Sequence, residues 1–490
     1  MKEKIATYLF PLLFIIFSFI LPKNEAHPMI LPMLGILIWV VGWWITDVIP
    51  IGITSLLPII LFPLTGIASS KLIAGFYINE IIFLFMGGFI MALALEKWDV
   101  HKRIALKALI LFGKSPTKII IGFMLICAFL SMWISNTATT LLMLPIAMSV
   151  NSHLKEIYGK DKLKKFHIAL FLGIAYACSI GGIATLIGTP PNLVFTKIFS
   201  DTFPMHSEVS FSKWFFFSFP ISFVMLLLAM IVLIKLFVPK LPKKKTNKDF
   251  FENAYKKLGK ITFEQKVVLI LFVLFAVLLI FRSDIEFGKI IIPGWERILT
   301  YPELISDAMI ALLVVSFLYV IPTKKDKKQK LMDWKTTVGI PWEILFLFGG
   351  GFALANGFQL SGLLDWLSIQ MQVLQGFPTF LMLLMISLFM TFITEFTSNT
   401  ASTQALLPVV AALAISLNIH PLLVMLPLTI SASLAFMFPV ATPPNAIVFS
   451  TKQFKMKSML IPGFILNLLG TLVVSLITYY WGSLLFDFGF

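Results

Sequence analysis

The chain has 490 residues, 58% of them hydrophobic and only 13% charged, with a formal net charge of +15. A soluble protein of this size cannot hide so much apolar surface, so composition excludes a soluble enzyme or binding module and indicates an all-α polytopic membrane protein built from apolar runs of about 18 or more residues. The positive charge does not point to nucleic acid, because the lysines gather in short stretches between apolar runs, as in "KLPKKKTNK" and "PTKKDKKQK", the pattern of cytoplasmic loops facing anionic lipid headgroups.

Basic loops orient the chain. They lie at 97–118 (six Lys/Arg), 151–165 (five), 239–260 (eight) and 322–335 (six), while 282–304 carries three basic and four acidic residues and reads as external. Starting with the N-terminus in the cytoplasm, spans are predicted near 5–22, 29–47, 50–66 and 81–97. No small-residue cleavage site follows the first run, which therefore reads as a span and not a secretory signal. Residues 119–150 are apolar, yet both flanks are basic. Two crossings need about 40 residues, and one crossing would place a basic flank outside. The pattern predicts a re-entrant helical hairpin with its turn at Ser135-Asn136-Thr137, where hydroxyl and amide oxygens can cap the returning helix.

A span at 166–199 follows, broken at "IGTPPN" (Ile187 to Asn192) because tandem prolines remove two backbone donors and bar ordinary helix at Thr189. Further spans are predicted near 212–238, 261–281, 305–321 and 341–366. A second hairpin, about 377–418, enters from outside with Ser398-Asn399-Thr400 at its turn. Span 420–450, broken at Thr442, returns to Lys452, and span 458–483 leaves the C-terminus outside. The expectation is about eleven transmembrane helices and two re-entrant hairpins. Cys127 and Cys178 both fall inside apolar runs and describe no disulfide framework.

The halves repeat. "FLFMGGF" at Phe83 and "FLFGGGF" at Phe346, Ser135 and Ser398, and Leu144-Pro145 and Leu407-Pro408 are each 263 residues apart, and "TPPN" at Thr189 and Thr442 is separated by 253. With the halves entering from opposite sides, this is an inverted repeat, which with broken helices is a transporter signature whose site lies at the repeat interface.

These residues resemble the divalent-anion/sodium symporters, the DASS or INDY-type di/tricarboxylate transporters, over nearly the whole chain. The resemblance implies an elevator mechanism and a homodimer in the inner (plasma) membrane. Residues 1–112 and 261–375 would be scaffold, residues 113–238 and 376–490 would carry the transport-domain hairpins and broken helices, and 239–260 would be a basic cytoplasmic linker. It implies substrate contacts at Asn136, Thr137, Thr189, Asn399, Thr400, Thr442 and Pro443. One sodium site would use Ser131, Ser135, Asn136 and Gly188, and the other Thr394, Ser398, Asn399 and Ala441. The implied function is secondary transport of C4-dicarboxylates such as succinate, malate or fumarate, or of 2-oxoglutarate or citrate, by sodium symport. Sodium-independent dicarboxylate exchange, sulfate transport and a channel remain as alternatives. No cofactor is expected beyond sodium as coupling ion, and the partners are the anion, sodium, membrane lipid and a second copy.

The residues support this beside the resemblance. Ser131 and Thr394 each lie four residues before a motif serine, so one helical turn stacks the oxygens. Hydroxyl, amide and carbonyl oxygens suit a hard cation. Lys and Arg are absent from the motifs, so helix N-termini and bound sodium must supply positive charge for a dianion. Glu395, opposite Met132 in the repeat, has two open readings: a proton or cation role, and a structural hydrogen bond. Glu80 and Glu343, also 263 apart, suit first-turn dipole pairing as well as function, and His420 is expected at the outer mouth of the second hairpin. No HExxH or GxSxG motif supports an enzyme.

Overall fold

Serine and threonine hydroxyls and prolines set many of the helix starts in this chain, and the same starts recur in both halves. The structure is a computed structural model that describes residues 2–22, 27–112, 115–159, 165–238, 248–287 and 290–488. The lysines at 160, 162 and 164 and those within 239–247, which the basic-loop expectation used, lie outside the described residues.

The first half runs α1 (Lys2–Ile15), α2 (Ile30–Thr46), α3 (Ile51–Thr54), α4 (Leu57–Thr65), α5 (Ser70–Gly75), α6 (Glu80–Lys97), α7 (Val100–Phe112), α8 (Pro116–Ser131), α9 (Asn136–Tyr158), α10 (Phe166–Ile183), α11 (Pro190–Thr202) and α12 (Phe211–Phe237). Helix α13 (Lys248–Lys257) leads into α14 (Phe263–Ile280), the strands β1 (Ile285–Phe287) and β2 (Ile290–Ile292), α15 (Asp307–Val320) and α16 (Trp334–Thr337). The second half continues with α17 (Trp342–Leu360), α18 (Leu363–Gln370), α19 (Thr379–Ile393), α20 (Asn399–Leu417), α21 (Leu422–Ser431), α22 (Pro443–Ser450), α23 (Lys457–Ile477) and α24 (Ser483–Phe486). The strands pair antiparallel, Ile285 opposite Ile292, inside the segment expected as an external loop.

Seven described helices are long and apolar enough to cross a membrane, and shorter apolar helices stand beside them, including α8 and α19. The predicted span 50–66 is two helices, because the chain breaks at Ser55, whose Oγ turns back to Ile51 O at 2.6 Å and accepts from Trp44 Nε1 at 3.0 Å. Likewise 341–366 ends at Leu360, where Gly362 takes a left-handed turn (φ 75°) into α18. In the basic stretch 97–118, α7 forms with Arg103 turned inward, its Nη1 and Nη2 each donating at 3.1 Å, to Gly259 O and Leu258 O respectively.

The repeat is visible in the element starts. α8 and α19 begin 263 residues apart, as do α9 and α20, and α11 and α22 begin 253 apart. The halves interlock: α11 packs on α20, and α22 packs on α9 and α10. Helix α10 forms the centre, touching α8, α9, α12 and α22, and nearly all of it is buried. It can do this because it carries small residues where backbones meet; a Cβ on Gly181 would lie 2.2 Å from Ala128 O of α8.

Candidate functional site

Between α8 and α9 the chain leaves helix only from Met132 to Ser135, and between α19 and α20 only from Thr394 to Ser398. Each motif serine is the N-cap of the next helix. Ser135 Oγ accepts from Ala138 N at 3.3 Å and Ser398 Oγ from Ala401 N at 3.5 Å. One turn behind, Ser131 Oγ donates to Asn136 Oδ1 at 2.6 Å, and Thr394 Oγ1 donates to Asn399 Oδ1 at 2.6 Å. Thr140 and Thr403 repeat the match on the far side, donating to Asn136 O at 2.8 Å and Asn399 O at 2.7 Å.

The two breaks share a second set of equivalent bonds. Thr189 and Thr442 are both extended N-caps, with φ/ψ of −143°/141° and −142°/149°. Asn192 Nδ2 donates to Gly182 O at 3.1 Å and Thr185 O at 2.7 Å. Asn445 Nδ2 donates to Ala435 O at 3.1 Å and Phe438 O at 3.1 Å. The last Asn of each "TPPN" therefore ties the start of its own helix back to the chain 7 and 10 residues before it. Proline before it cannot donate. Sequence reasoning used these asparagines only as repeat markers; their fixed place after tandem proline was the signal for a tether.

Both turns and both breaks open onto one cavity of about 1110 Å³. Its wall includes Ser135, Asn136, Thr137, Gly188 and Thr189 from the first half and Ser398, Asn399, Thr400, Ala441, Thr442 and Pro443 from the second. Ser131 and Thr394 do not line it; both are fully buried one layer behind, against the Asn side chains. A Cβ on Gly182 would meet Asn136 Oδ1 at 2.5 Å and Gly188 O at 3.1 Å, so the Asn136 amide lies directly against the first break. The N-termini of α9, α11, α20 and α22 converge on this space. No Lys, Arg or His contributes to its wall among the described residues, whereas Asp47, Trp44 and Glu343, none assigned a site role from sequence, do. Glu80, the repeat partner of Glu343, lies instead beside Glu208, Arg282 and Asp307 in a separate small cavity.

Glu395 is fully buried behind the second turn. Its Oε1 accepts from Phe436 N at 2.7 Å, Met437 N at 2.9 Å and Asn467 Nδ2 at 2.7 Å, and Oε2 accepts from Phe438 N at 3.1 Å. All four contacts use the carboxyl oxygens as acceptors. The first half needs no such group. Its break spans only 184–189, against 432–442 in the second. The longer extended segment leaves N–H groups that no helix satisfies, and Glu395 binds three of them. His420 lies away from the cavity, its ring 4.9 Å from that of His206 and 5.0 Å from that of Phe488.

Comparison with known proteins agrees with this architecture. The sequence profile of the sodium:sulfate symporter transmembrane region matches residues 2–488. The sodium-dependent dicarboxylate transporter SdcS of Staphylococcus saprophyticus is 38% identical over 479 residues, covering 96% of this chain and 89% of the relative. SdcS of Staphylococcus aureus strain MW2 is 38% identical over 473 residues, covering 94% and 89%. Among solved structures, the Alcanivorax borkumensis YdaH transporter aligns with a TM-score of 0.53 at 14% identity, over 84% of this chain and 86% of that one. The Neisseria gonorrhoeae MtrF structure aligns with a TM-score of 0.52 at 13% identity over 98% of each chain. At those identities the likeness shows a shared fold alone. The chain is a multi-pass membrane protein, and with its profile match end to end it belongs to the family of the sodium:sulfate symporter transmembrane region, the divalent-anion/sodium symporters.

Proposed function

We propose that this protein is a secondary active symporter that couples sodium entry to uptake of a small divalent organic anion. The observation that carries the reading is the convergence of four helix N-termini on one cavity whose wall has no cationic side chain among the described residues. Each N-terminus carries at most about +0.5 charge and acts only within its first turn, so the four offset part of a dicarboxylate's charge and bound sodium supplies the rest. Asn136, Thr137, Asn399 and Thr400 offer amides and hydroxyls for two carboxylates, with Thr189, Thr442 and Pro443 closing the sides. Prolines at the first two positions of α11 and α22 remove N–H donors there, so those helices contribute mainly their dipoles, and the turns contribute the hydrogen bonds.

Sodium fits beside each Asn. Ser131, Ser135, Asn136 and Gly188 form one group of oxygen donors, and Thr394, Ser398, Asn399 and Ala441 form the other, without formal charge in the ligand set. The 38% identical relatives are named sodium-dependent dicarboxylate transporters, which favours symport over exchange. In this reading the chain crosses the membrane eleven times. The α8–α9 and α19–α20 pairs are re-entrant hairpins entering from opposite sides, with the N-terminus cytoplasmic and the C-terminus external. Residues 113–238 and 376–490 then move as a transport body against a scaffold of 1–112 and 261–375, with 239–260 linking the halves, in a homodimer of the cell membrane. Radiolabelled succinate uptake into proteoliposomes tests it: accumulation should require an inward sodium gradient. Uptake that ignores sodium and demands internal dicarboxylate would establish exchange instead.

A further inference from the structure

The two halves share the Asn136/Asn399 and Asn192/Asn445 bonds, but they differ in charge at one position behind the turns. Where the first half has Met132, whose carbonyl oxygen accepts from Thr185 Oγ1, the second has Glu395. All four donors to Glu395 are neutral: three backbone N–H groups and the Asn467 amide. Among the described residues no Lys, Arg or His forms an ion pair with it. A fully buried carboxylate without a counter-charge costs far more than hydrogen bonds alone recover. Next to it in sequence, Thr394 Oγ1 touches Asn399 Oδ1 at 2.6 Å and Ala432 O at 2.9 Å. Glu395 thus joins the second turn to the second break on the face where the second group of cation ligands gathers. The other side of the same segment is also tied: Tyr176 Oη donates to Phe436 O at 2.7 Å.

We propose that Glu395 is a positioning residue whose negative charge is balanced by the cation in the neighbouring Thr394–Asn399 site, which makes that site the stronger of two otherwise equivalent cation sites. This rests on the sodium-symport reading above. The cation does not touch Glu395 in this arrangement. It is drawn in by a full charge across a bonded shell in a medium of low dielectric, where Coulomb energies are several times those in water. The Ser131–Asn136 site has only neutral oxygens behind it and fills at higher sodium. Occupation of the stronger site orders the second turn first, and the anion then meets a half-formed wall.

The test is thermal stabilisation of the purified full-length protein by sodium without substrate, at constant ionic strength against choline. Glu395→Gln keeps the size and removes the charge; the sodium concentration for half-maximal stabilisation should rise tenfold or more, about 1.4 kcal/mol by RT ln 10. Glu395→Asp and Asn467→Ala disturb the hydrogen bonds but keep the charge, and should stay within about threefold of the wild type, because the effect is Coulombic. Should Glu395→Gln fail to fold, Thr394→Ala and Ser131→Ala decide: the Thr394 variant should lose more sodium affinity. An unshifted Glu395→Gln variant, equal shifts for Thr394→Ala and Ser131→Ala, or charge-retaining variants as weak as Glu395→Gln would overturn the inference while leaving symport standing. A wild type that sodium does not stabilise would overturn both.

Discussion

Asn192 and Asn445 offer the sharpest test of how the cavity wall is held. In each, Nδ2 makes the bonds and the buried Oδ1 has no partner, so truncation removes donors alone. Asn192→Ala strips the amide donor from Gly182 O and Thr185 O, while Ile183 O keeps the bond from Trp214 Nε1 at 3.0 Å. Each buried carbonyl that loses its donor costs about 1–3 kcal/mol, so the variant should lose about 2–6 kcal/mol of stability, and Asn445→Ala should fall in the same range. Asn→Asp is more discriminating. It is isosteric, but it sets a carboxylate oxygen against carbonyl oxygens now 2.7–3.1 Å from the amide nitrogen. The Asp variants should therefore be at least as unstable as the Ala variants, by denaturant titration in detergent, and sodium-driven uptake should fall in parallel because Thr189 and Thr442 leave the wall. Asp variants as stable as the wild type, or one of the two positions proving neutral, would refute the tether.

Asn136→Ala and Asn399→Ala should each abolish succinate uptake in proteoliposomes while leaving a protein that elutes as a folded species, since in the proposed symport each amide serves both the anion and a cation. Gly188→Ala places a Cβ 2.5 Å from Gly182 O and should cut uptake severely, whereas Ala441→Gly, at the equivalent position of the second half, should be tolerated in the same assay. Arg103→Ala removes two charge-assisted bonds to the α13 end and should cost about 3 kcal/mol in an unfolding titration, with uptake by surviving protein unchanged. Asp333, in the loop 322–335, is held down at about 2 by Lys97 and the Thr336 N–H. Its folded-state value lies below that of the unfolded chain, so its contribution is present above about pH 3.9 and is lost as pH falls toward 2. Because the Asp333 side chain is 51% exposed, Asp333→Asn should cost at most about 1 kcal/mol at pH 7, a difference that shrinks below pH 4 in melting curves.

Much of this site is legible in the sequence because it rests on local rules. A Ser followed by Asn in an apolar run marks a helix restart, and tandem proline marks a break; duplication at constant offset says the two belong together. Eleven of the expected site residues line one cavity, and Ser131 and Thr394 stand one turn behind as their spacing demands. What sequence could not supply were contacts between distant segments. Asp47 and Glu343 reach the wall because α2 and α17 pack beside it, which no local pattern encodes. The partners of Glu395 lie 41 to 72 residues away, so its reading stayed open until the extended segment 432–442 showed three N–H groups in need of an acceptor. The helices inside the basic stretches were hidden for a different reason: a high lysine content reads as loop, yet α7 buries both His101 and Arg103 and leaves Lys102 outside.

A wall that carries no fixed cation among the described residues shapes the proposed symport cycle. A lysine or arginine would hold a dianion whether or not sodium is bound, and release would then have to break a full ion pair. Helix dipoles contribute partial charges that act within about one turn, and hydroxyl and amide groups are neutral. Asp47 and Glu343 at the wall oppose the anion further. On the proposed cycle the anion is therefore held firmly only while sodium occupies the proposed sites beside Asn136 and Asn399, and linkage requires that the anion tighten sodium by the same factor. Coupling in this arrangement needs no separate latch. It follows from leaving the substrate's charge only partly matched by the protein, so that the missing part must arrive with the ion.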